Sequence, residues 1–153
     1  KEVMEVVDIL EQIKYPLQIL NFEDRCEDLK PKFLKINNLY EDLLKQALSN
    51  MKKEGKLLWF IYPTQKISFS AELSNFLRYS TGSEVVLVGR DTGDFIKGSL
   101  RSINLDLRPV VLKAVEGLKP GSYGGGHGPA CGFNISKEEW NKFFEVLKKE
   151  VNK

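Results

Sequence analysis

A stretch of small residues in the last third of the chain combines a flexible backbone with a titratable side chain. Residues 121–132, Gly-Ser-Tyr-Gly-Gly-Gly-His-Gly-Pro-Ala-Cys-Gly, contain six of the chain's twelve glycines and its only histidine. Glycine adopts φ values above zero and lets a ligand approach the main chain closely. Gly124, Gly125 and Gly126 therefore predict a loop whose N–H groups turn inward and bind an anion, above all phosphate. His127 adds a hydrogen-bond donor that can gain charge near neutral pH.

The same stretch can also be interpreted as a flexible turn followed by a structural histidine, because glycine-rich turns are common. Its surroundings favour anion binding. Pro129, Ala130 and Cys131 are compact, and residues 132–135 predict a short buried strand. A run between ordered elements would lose conformational entropy without compensation if it were only a mobile linker. Tyr123, beside the glycines, is a candidate for stacking on a nucleobase.

Arg101 is the second candidate for ligand binding. A predicted hairpin places it at the end of a central strand, where a lone charge is costly unless it finds a partner. Its guanidinium could bind a phosphate through two parallel hydrogen bonds, or it could form a salt bridge to a surface carboxylate. Ser102 could donate to the same anion or cap the following turn.

Taken together, the two motifs resemble the DHH-associated C-terminal domain of the DHH phosphoesterases, which include RecJ-like exonucleases and nanoRNA or pAp phosphatases. That domain often reads Gly-Gly-Gly-His-x-x-Ala-Ala-Gly-Phe, and here residues 130–133 read Ala-Cys-Gly-Phe instead of the last four. Upstream, Ser-Leu-Arg-Ser at residues 99–102 is similar to an Arg-Ser strand end of the family. The resemblance covers residues 38–153.

The resemblance implies that these elements face the substrate. Substrate and phosphate binding is therefore expected of Arg101, Ser102, Tyr123, Gly124, Gly125, Gly126 and His127. DHH phosphoesterases hydrolyse phosphoesters with a metal pair, typically manganese, held by Asp and His residues of a separate catalytic domain. This chain has one histidine and no Asp-His-His. We therefore expect no catalytic residue, metal or other cofactor in it, and manganese or magnesium in a missing N-terminal DHH domain.

Three hypotheses about function follow from the resemblance. The preferred one is the substrate-binding half of a RecJ-like exonuclease, a hydrolase that is inactive without its DHH domain and acts on single-stranded nucleic acid or short oligonucleotides. The second is a catalytically inert scaffold, like degenerate DHH relatives in replication complexes. The third is the substrate-binding part of a phosphatase for nanoRNA, pAp or cyclic dinucleotides. Because the first residue is Lys1 rather than Met, we expect a fragment or a processed product.

Residue types disfavour several other kinds of site. Cys131 lies four residues after His127, but a cysteine between Ala130 and Gly132 is usually a small buried hydrophobe rather than a nucleophile. A zinc site needs more His and Cys ligands than the chain offers. The glycine stretch lacks the Lys-Ser/Thr ending of a P-loop. Acidic residues within 24–28 have no histidine beside them and are interpreted as a solvated face.

Length and composition indicate one ordinary domain with a real core. The chain has 153 residues, of which 42% are hydrophobic and 29% charged. Its net charge of +2 does not indicate nucleic-acid binding by bulk electrostatics, so a polyanion must be contacted locally. Two cysteines are too few for a disulfide framework. No apolar run approaches the roughly 20 residues of a membrane span, and no signal peptide is visible, so we expect a cytoplasmic protein without a membrane partner.

Periodicity predicts the elements that position the candidate residues. Helices are predicted at residues 2–14, 38–54, 68–80, 104–118 and from 136 onward, and buried strands at 57–62, 84–89, 94–102 and 132–135. Capping boxes, Asn38 with Glu41 and Ser136 with Glu139, mark two of the helix starts.

These elements predict an α/β fold, in which a mixed, mostly buried β-sheet is flanked by helices. Residues 1–37 are predicted to be an N-terminal helical extension or linker toward the catalytic domain. Its charged segment 21–32 is predicted to be a loop or linker, with a helical turn as the alternative. Residues 38–153 are predicted to be the substrate-binding domain.

Overall fold

The structure, a computed structural model, describes residues 2–153. Lys1, the first residue of the predicted extension, lies outside them. The chain forms two compact units that divide between Gln46 and Ala47. The first unit is helical and contains α1 (Glu2–Glu11), α2 (Leu17–Leu20), a 3-10 helix (Asp24–Leu29) and most of α3 (Lys30–Asn50). No helix among the described residues is long and apolar enough to span a bilayer.

Two predictions for this N-terminal part need correction. Residues 21–32 form more than a loop with a helical turn, because the 3-10 helix leads directly into α3 at Lys30. Pro31 is tolerated there, since the first turn of a helix does not use its N–H groups. The capping box of Asn38 and Glu41 is also wrong, because both residues lie within α3.

The second unit contains a six-stranded sheet, in the order β1-β2-β3-β4-β6-β5. The strands are β1 (Lys52–Glu54), β2 (Leu57–Pro63), β3 (Val85–Asp91), β4 (Phe95–Ser102), β5 (Tyr123–His127) and β6 (Ala130–Ser136). Strands β2 and β3 are parallel, and the other neighbouring strands are antiparallel. The predicted α/β fold with a mixed sheet is confirmed. The short strand β1 was missed because its residues, Lys-Lys-Glu, are all exposed and carry no apolar pattern.

Helices cover the two faces of the sheet unequally. α5 (Leu107–Val115) and α6 (Trp140–Val151) pack on one face and enclose the main core, which includes Leu87, Leu100 and Phe143. α4 (Ser70–Thr81) lies on the opposite face, over β3 and β4. The helix contacts of β5 and β6 are with α5 and α6, so the face of these two strands beside α4 is less covered.

Two helices begin later in the chain than predicted. α5 begins three residues later than predicted, with Asp106 as its N-cap accepting from the Arg108 N–H at 3.0 Å. Ser136 makes no side-chain cap, and a 3-10 turn precedes α6. The Glu139 carboxylate instead accepts a hydrogen bond from the backbone N–H of Lys119, so the second capping box is wrong.

Candidate functional site

The glycine-rich stretch forms a β-hairpin rather than the predicted loop. Residues Tyr123–His127 are the edge strand β5, which pairs with β6, and two residues make the turn. The turn carbonyls are fixed by neighbours: Gly128 accepts from Leu107 N at 2.7 Å, and Pro129 accepts from Ser102 N at 3.0 Å. Alternate N–H groups of a strand point in opposite directions, so the glycine N–H groups cannot all converge on one anion.

The three consecutive glycines meet three different requirements. A Cβ on Gly124 would lie 2.6 Å from Val111 Cγ1, so this glycine lets α5 approach β5. Gly126 has φ of +154°, and a Cβ there would lie 2.4 Å from the carbonyl oxygen of Ala130. A Cβ on Gly125 would meet nothing within 4 Å. Of the three, Gly125 is the one whose missing side chain leaves free surface for a ligand.

Sheet register brings most of the candidate residues onto one face. Side chains alternate along a strand, and residues paired across strands point to the same face. Three rows cross β5, β6 and β4: His127, Ala130 and Arg101; Gly125, Gly132 and Ser99; Tyr123, Asn134 and Lys97. These nine residues are called the open face below. Lys97, Ser99 and Gly132 were not singled out from the sequence, although Lys97 and Ser99 precede Arg101 by four and two residues on the same strand.

A cleft of about 660 Å³ lies between the open face and the start of α4. Gly125 and Gly132 form its floor, and its walls include Ser68, Ser70, Glu72, Lys97, Ser99 and Tyr123. The N-cap residue of α4, Phe69, provides no side-chain cap. Because Ser70 and Glu72 of the first turn line the cleft, the positive end of the α4 dipole borders it, while the carboxylate of Glu72 lowers the local positive potential.

Arg101 lies half-buried against α4 and lacks a carboxylate partner. Its Nε donates to Asn75 Oδ1 at 3.1 Å, and its Nη1 donates to the Leu100 carbonyl at 2.8 Å. Among residues 2–153 it forms no ion pair, so the alternative of a surface salt bridge does not hold in the described structure. Burial lowers the pKa of Arg101, and the positive charge of Arg78 lowers that pKa further. A bound anion would offset both effects.

Arg78 is a neighbouring cation that sequence reasoning missed. Its Nη1 donates to the Ser102 carbonyl at 2.8 Å, and its guanidinium lies 4.2 Å from the centroid of the Tyr79 ring. No sequence signal connects it with Arg101, because the two residues come together only when α4 packs on β4.

Ser102 is the predicted site residue that the structure does not bring to the open face. It follows Arg101 on β4, so its side chain points to the other face, and it is fully buried. Its hydroxyl donates to the Leu105 carbonyl, which favours the capping role over a role in anion binding.

The other predicted residues divide by face. The side chains of Tyr123 and His127 are exposed on the open face, and that of Tyr123 is 66% exposed. Cys131 lies on the opposite face within the core, as predicted for a small buried hydrophobe. Burial raises the pKa of its thiol, which disfavours the thiolate form needed of a nucleophile.

The described residues do not fit a metal centre. No group of three or more His, Cys, Asp and Glu side chains within 2–153 is placed to hold a metal ion. No chemical step is therefore assigned to a metal bound by this chain.

Comparison with protein-family models matches residues 61–153 to the DHHA1 domain. The chain belongs to the DHHA1 family. The match includes β3 to β6 and so contains the whole open face. It confirms the resemblance to the DHH-associated C-terminal domain. Comparison with curated protein sequences gave no match.

Solved structures share this fold at low sequence identity. RecJ from Thermus thermophilus, in complex with Mn2+, aligns with a TM-score of 0.66 and 18% identity over 82% of this chain and 18% of RecJ. PggH from Vibrio cholerae, a pGpG-specific phosphodiesterase, aligns with a TM-score of 0.59 and 12% identity over 83% of this chain and 42% of PggH. The C-Ala domain of alanyl-tRNA synthetase from Aquifex aeolicus aligns with a TM-score of 0.53 and 15% identity. The alignment covers 68% of this chain and 99% of the C-Ala chain. The chain thus spans about a fifth of RecJ and less than half of PggH.

Proposed function

We propose that this DHHA1 domain is the substrate-binding half of a RecJ-like phosphodiesterase acting on single-stranded nucleic acid or short oligonucleotides. In this proposal the open face holds a substrate phosphate, and a separate DHH domain supplies the manganese or magnesium ions. The observation that carries the proposal is Arg101, a half-buried cation without a carboxylate partner, beside a floor made of glycine.

Arg101 has donors to spare for a phosphate. A guanidinium carries five N–H donors, and the hydrogen bonds to Asn75 and Leu100 engage two of them. The same two bonds hold the side chain in place, so less rotamer entropy is lost when an anion binds. His127 completes the row across β6 and could add a further donor to the same phosphate.

The glycine floor suits a polymer backbone. Gly125 and Gly132 face each other across β5 and β6 without a Cβ, which lets sugar and phosphate atoms approach the sheet closely. Because the net charge is only +2, the attraction for a phosphate must come from local cations such as Arg101.

The relatives support phosphodiester chemistry without deciding it. RecJ is named an exonuclease and PggH a phosphodiesterase, whereas the C-Ala domain belongs to a tRNA synthetase. A shared fold does not determine the reaction, so the proposal depends on the open face. A half-buried guanidinium without an ion pair, beside an open floor, favours ligand binding over an inert scaffold.

Binding of a labelled single-stranded oligothymidylate tests the proposal directly. Arg101→Ala should weaken binding by about 1.5–3 kcal/mol, the value of a hydrogen bond to a charged group. Arg25→Ala is the matched control, because this arginine lies in the helical unit and donates to Gln12. Equal affinities of the wild type and the Arg101→Ala variant would remove the basis of the proposal.

A further inference from the structure

We propose that the open face contains two separate anion subsites, so that its full ligand carries at least two phosphate groups. Arg101 marks the first subsite, and Lys97 is the cation of the second. This inference rests on the proposed function, because it extends the ligand along the same face. It assigns a specificity-determining role to Lys97, which was not among the residues predicted to bind substrate.

The spacing of the two cations follows from strand geometry. Lys97, Ser99 and Arg101 are alternate residues of β4 and therefore point to the same face. A strand rises about 3.3 Å per residue, which places the Lys97 and Arg101 backbones roughly 13 Å apart.

The two side chains also diverge. Arg101 is held toward α4 by its bonds to Asn75 and the Leu100 carbonyl. Lys97 Nζ lies 5.8 Å from the centroid of the Phe95 ring, toward the opposite end of β4. Charge-assisted hydrogen bonds are only about 2.7–2.9 Å long. In this arrangement the two cations point toward different ends of β4, which favours two phosphate positions over one shared phosphate.

The cleft lies on the Lys97 side of the open face. Lys97, Ser99 and Tyr123 line it, whereas Arg101 and His127 do not. Its volume of about 660 Å³ falls within the range of pockets that enclose small ligands. The cleft beside Lys97 is thus large enough for a nucleoside that links a phosphate at Lys97 to one at Arg101.

The cleft walls suit such a nucleoside. The exposed ring of Tyr123 offers a stacking surface that accepts any base, since every base has a π-face. Glu72 can accept hydrogen bonds from base or sugar, and its charge keeps phosphate away from its side of the cleft and close to Lys97. A mononucleotide places its one phosphate at the anchored guanidinium of Arg101, and a longer strand fills both subsites.

The experiment measures how ligand length and the removal of one charge affect affinity in the 153-residue chain. Affinities for thymidine 5′-monophosphate are measured by NMR titration, and those for a labelled octathymidylate by fluorescence anisotropy, at several salt concentrations. The variants are Lys97→Ala and Arg101→Ala. The control is Lys149→Ala, an exposed lysine of α6 on the other side of the sheet. Thermal melts check that every variant is folded.

Lys97→Ala should weaken octathymidylate binding on the order of tenfold and leave monophosphate binding unchanged. For octathymidylate binding by this variant, the slope of log Kd against log salt concentration should be shallower by about 0.7. That is the value for one lost phosphate contact on a single strand. Arg101→Ala should weaken both ligands, and Lys149→Ala neither.

The possible failures are distinguishable. If Lys97→Ala changes both affinities equally, or neither, the second subsite is wrong even when Arg101→Ala still weakens binding. If Arg101→Ala leaves both affinities unchanged, the proposed function itself fails.

Discussion

At the scale of single residues, identical neighbours in the Gly124–Gly126 run have different physical roles. Gly124 allows α5 to pack close to β5, and Gly126 avoids a clash with the Ala130 backbone. Gly125 leaves the floor of the cleft free of a side chain. This separation makes each glycine testable on its own, because stability and binding should respond at different positions.

Gly125→Val should weaken binding while the fold stays as stable as the wild type or becomes more stable. Valine has no φ penalty at this extended position, where glycine is a poor strand residue, but its side chain fills the floor of the cleft. Thermal melts and oligothymidylate titrations measure the two effects. Gly124→Ala is the matched contrast and should lower the melting temperature, because its Cβ would lie 2.6 Å from Val111 Cγ1. Unchanged binding by Gly125→Val would place the ligand elsewhere.

His127→Ala should leave stability within about 0.5 kcal/mol of the wild type, as for other surface positions. The His127 side chain is exposed at the end of β5, and its backbone carbonyl, rather than its ring, faces the Cys131 thiol. Chemical denaturation measures the effect. Leu100→Ala serves as the core reference and should cost about 2–5 kcal/mol. A loss of similar size for His127→Ala would support the interpretation of His127 as a structural residue.

At the scale of elements, the turn between β3 and β4 positions the strand that carries Lys97, Ser99 and Arg101. Asp91 organises this turn. Its Oδ1 accepts from Gly93 N at 2.9 Å, and its Oδ2 contacts Lys137 Nζ at 2.7 Å. The hydrogen bond from Lys137 lowers the pKa of Asp91 most, and that from Gly93 lowers it further.

The sign of this pKa shift predicts acid sensitivity of the turn. A carboxyl whose pKa is lower in the folded than in the unfolded state adds stability above its unfolded pKa of about 3.9. That contribution is lost as the pH falls through the folded pKa. Asp91→Asn should therefore lose stability at neutral pH and show a smaller further loss below about pH 4. Urea denaturation across this range tests it.

Asp94→Asn is the matched control for this experiment, because Asp94 lies in the same turn and its backbone carbonyl accepts from Lys137 N. Its stability profile should follow that of the wild type. Parallel profiles for Asp91→Asn and the wild type would show that the Asp91 contacts do not persist in solution.

At the scale of the whole molecule, the chain combines the proposed binding surface, the open face, with no set of catalytic metal ligands in its described part. A two-metal phosphodiesterase needs ligands for both ions around the reacting phosphate. We therefore expect the isolated chain to bind oligothymidylate without hydrolysing it, even with added manganese. Incubation with labelled single strands, with and without metal, provides the measurement. Manganese-dependent hydrolysis that copurifies with this chain would contradict the assignment of substrate binding and hydrolysis to separate domains.

The amino-acid sequence by itself determined the class of fold and the two motifs of the site. Continuous apolar runs at β2 and β3 and amphipathic stripes at α4, α5 and α6 are local signals, and burial in the structure agrees with them. The motifs around Arg101 and His127 supported membership in the DHHA1 family for the same reason, since they are contiguous in the chain.

Only the tertiary structure decided that the glycines form a strand. Glycine has little preference for a strand, so β5 depends on pairing with β6 and on α5 packed beneath it. Register likewise decided which residues share a face: it turned Ser102 into the core and placed Lys97 and Ser99 beside Gly125. Those relations join strands that are distant in the sequence, and a local pattern contains no information about which strands become neighbours.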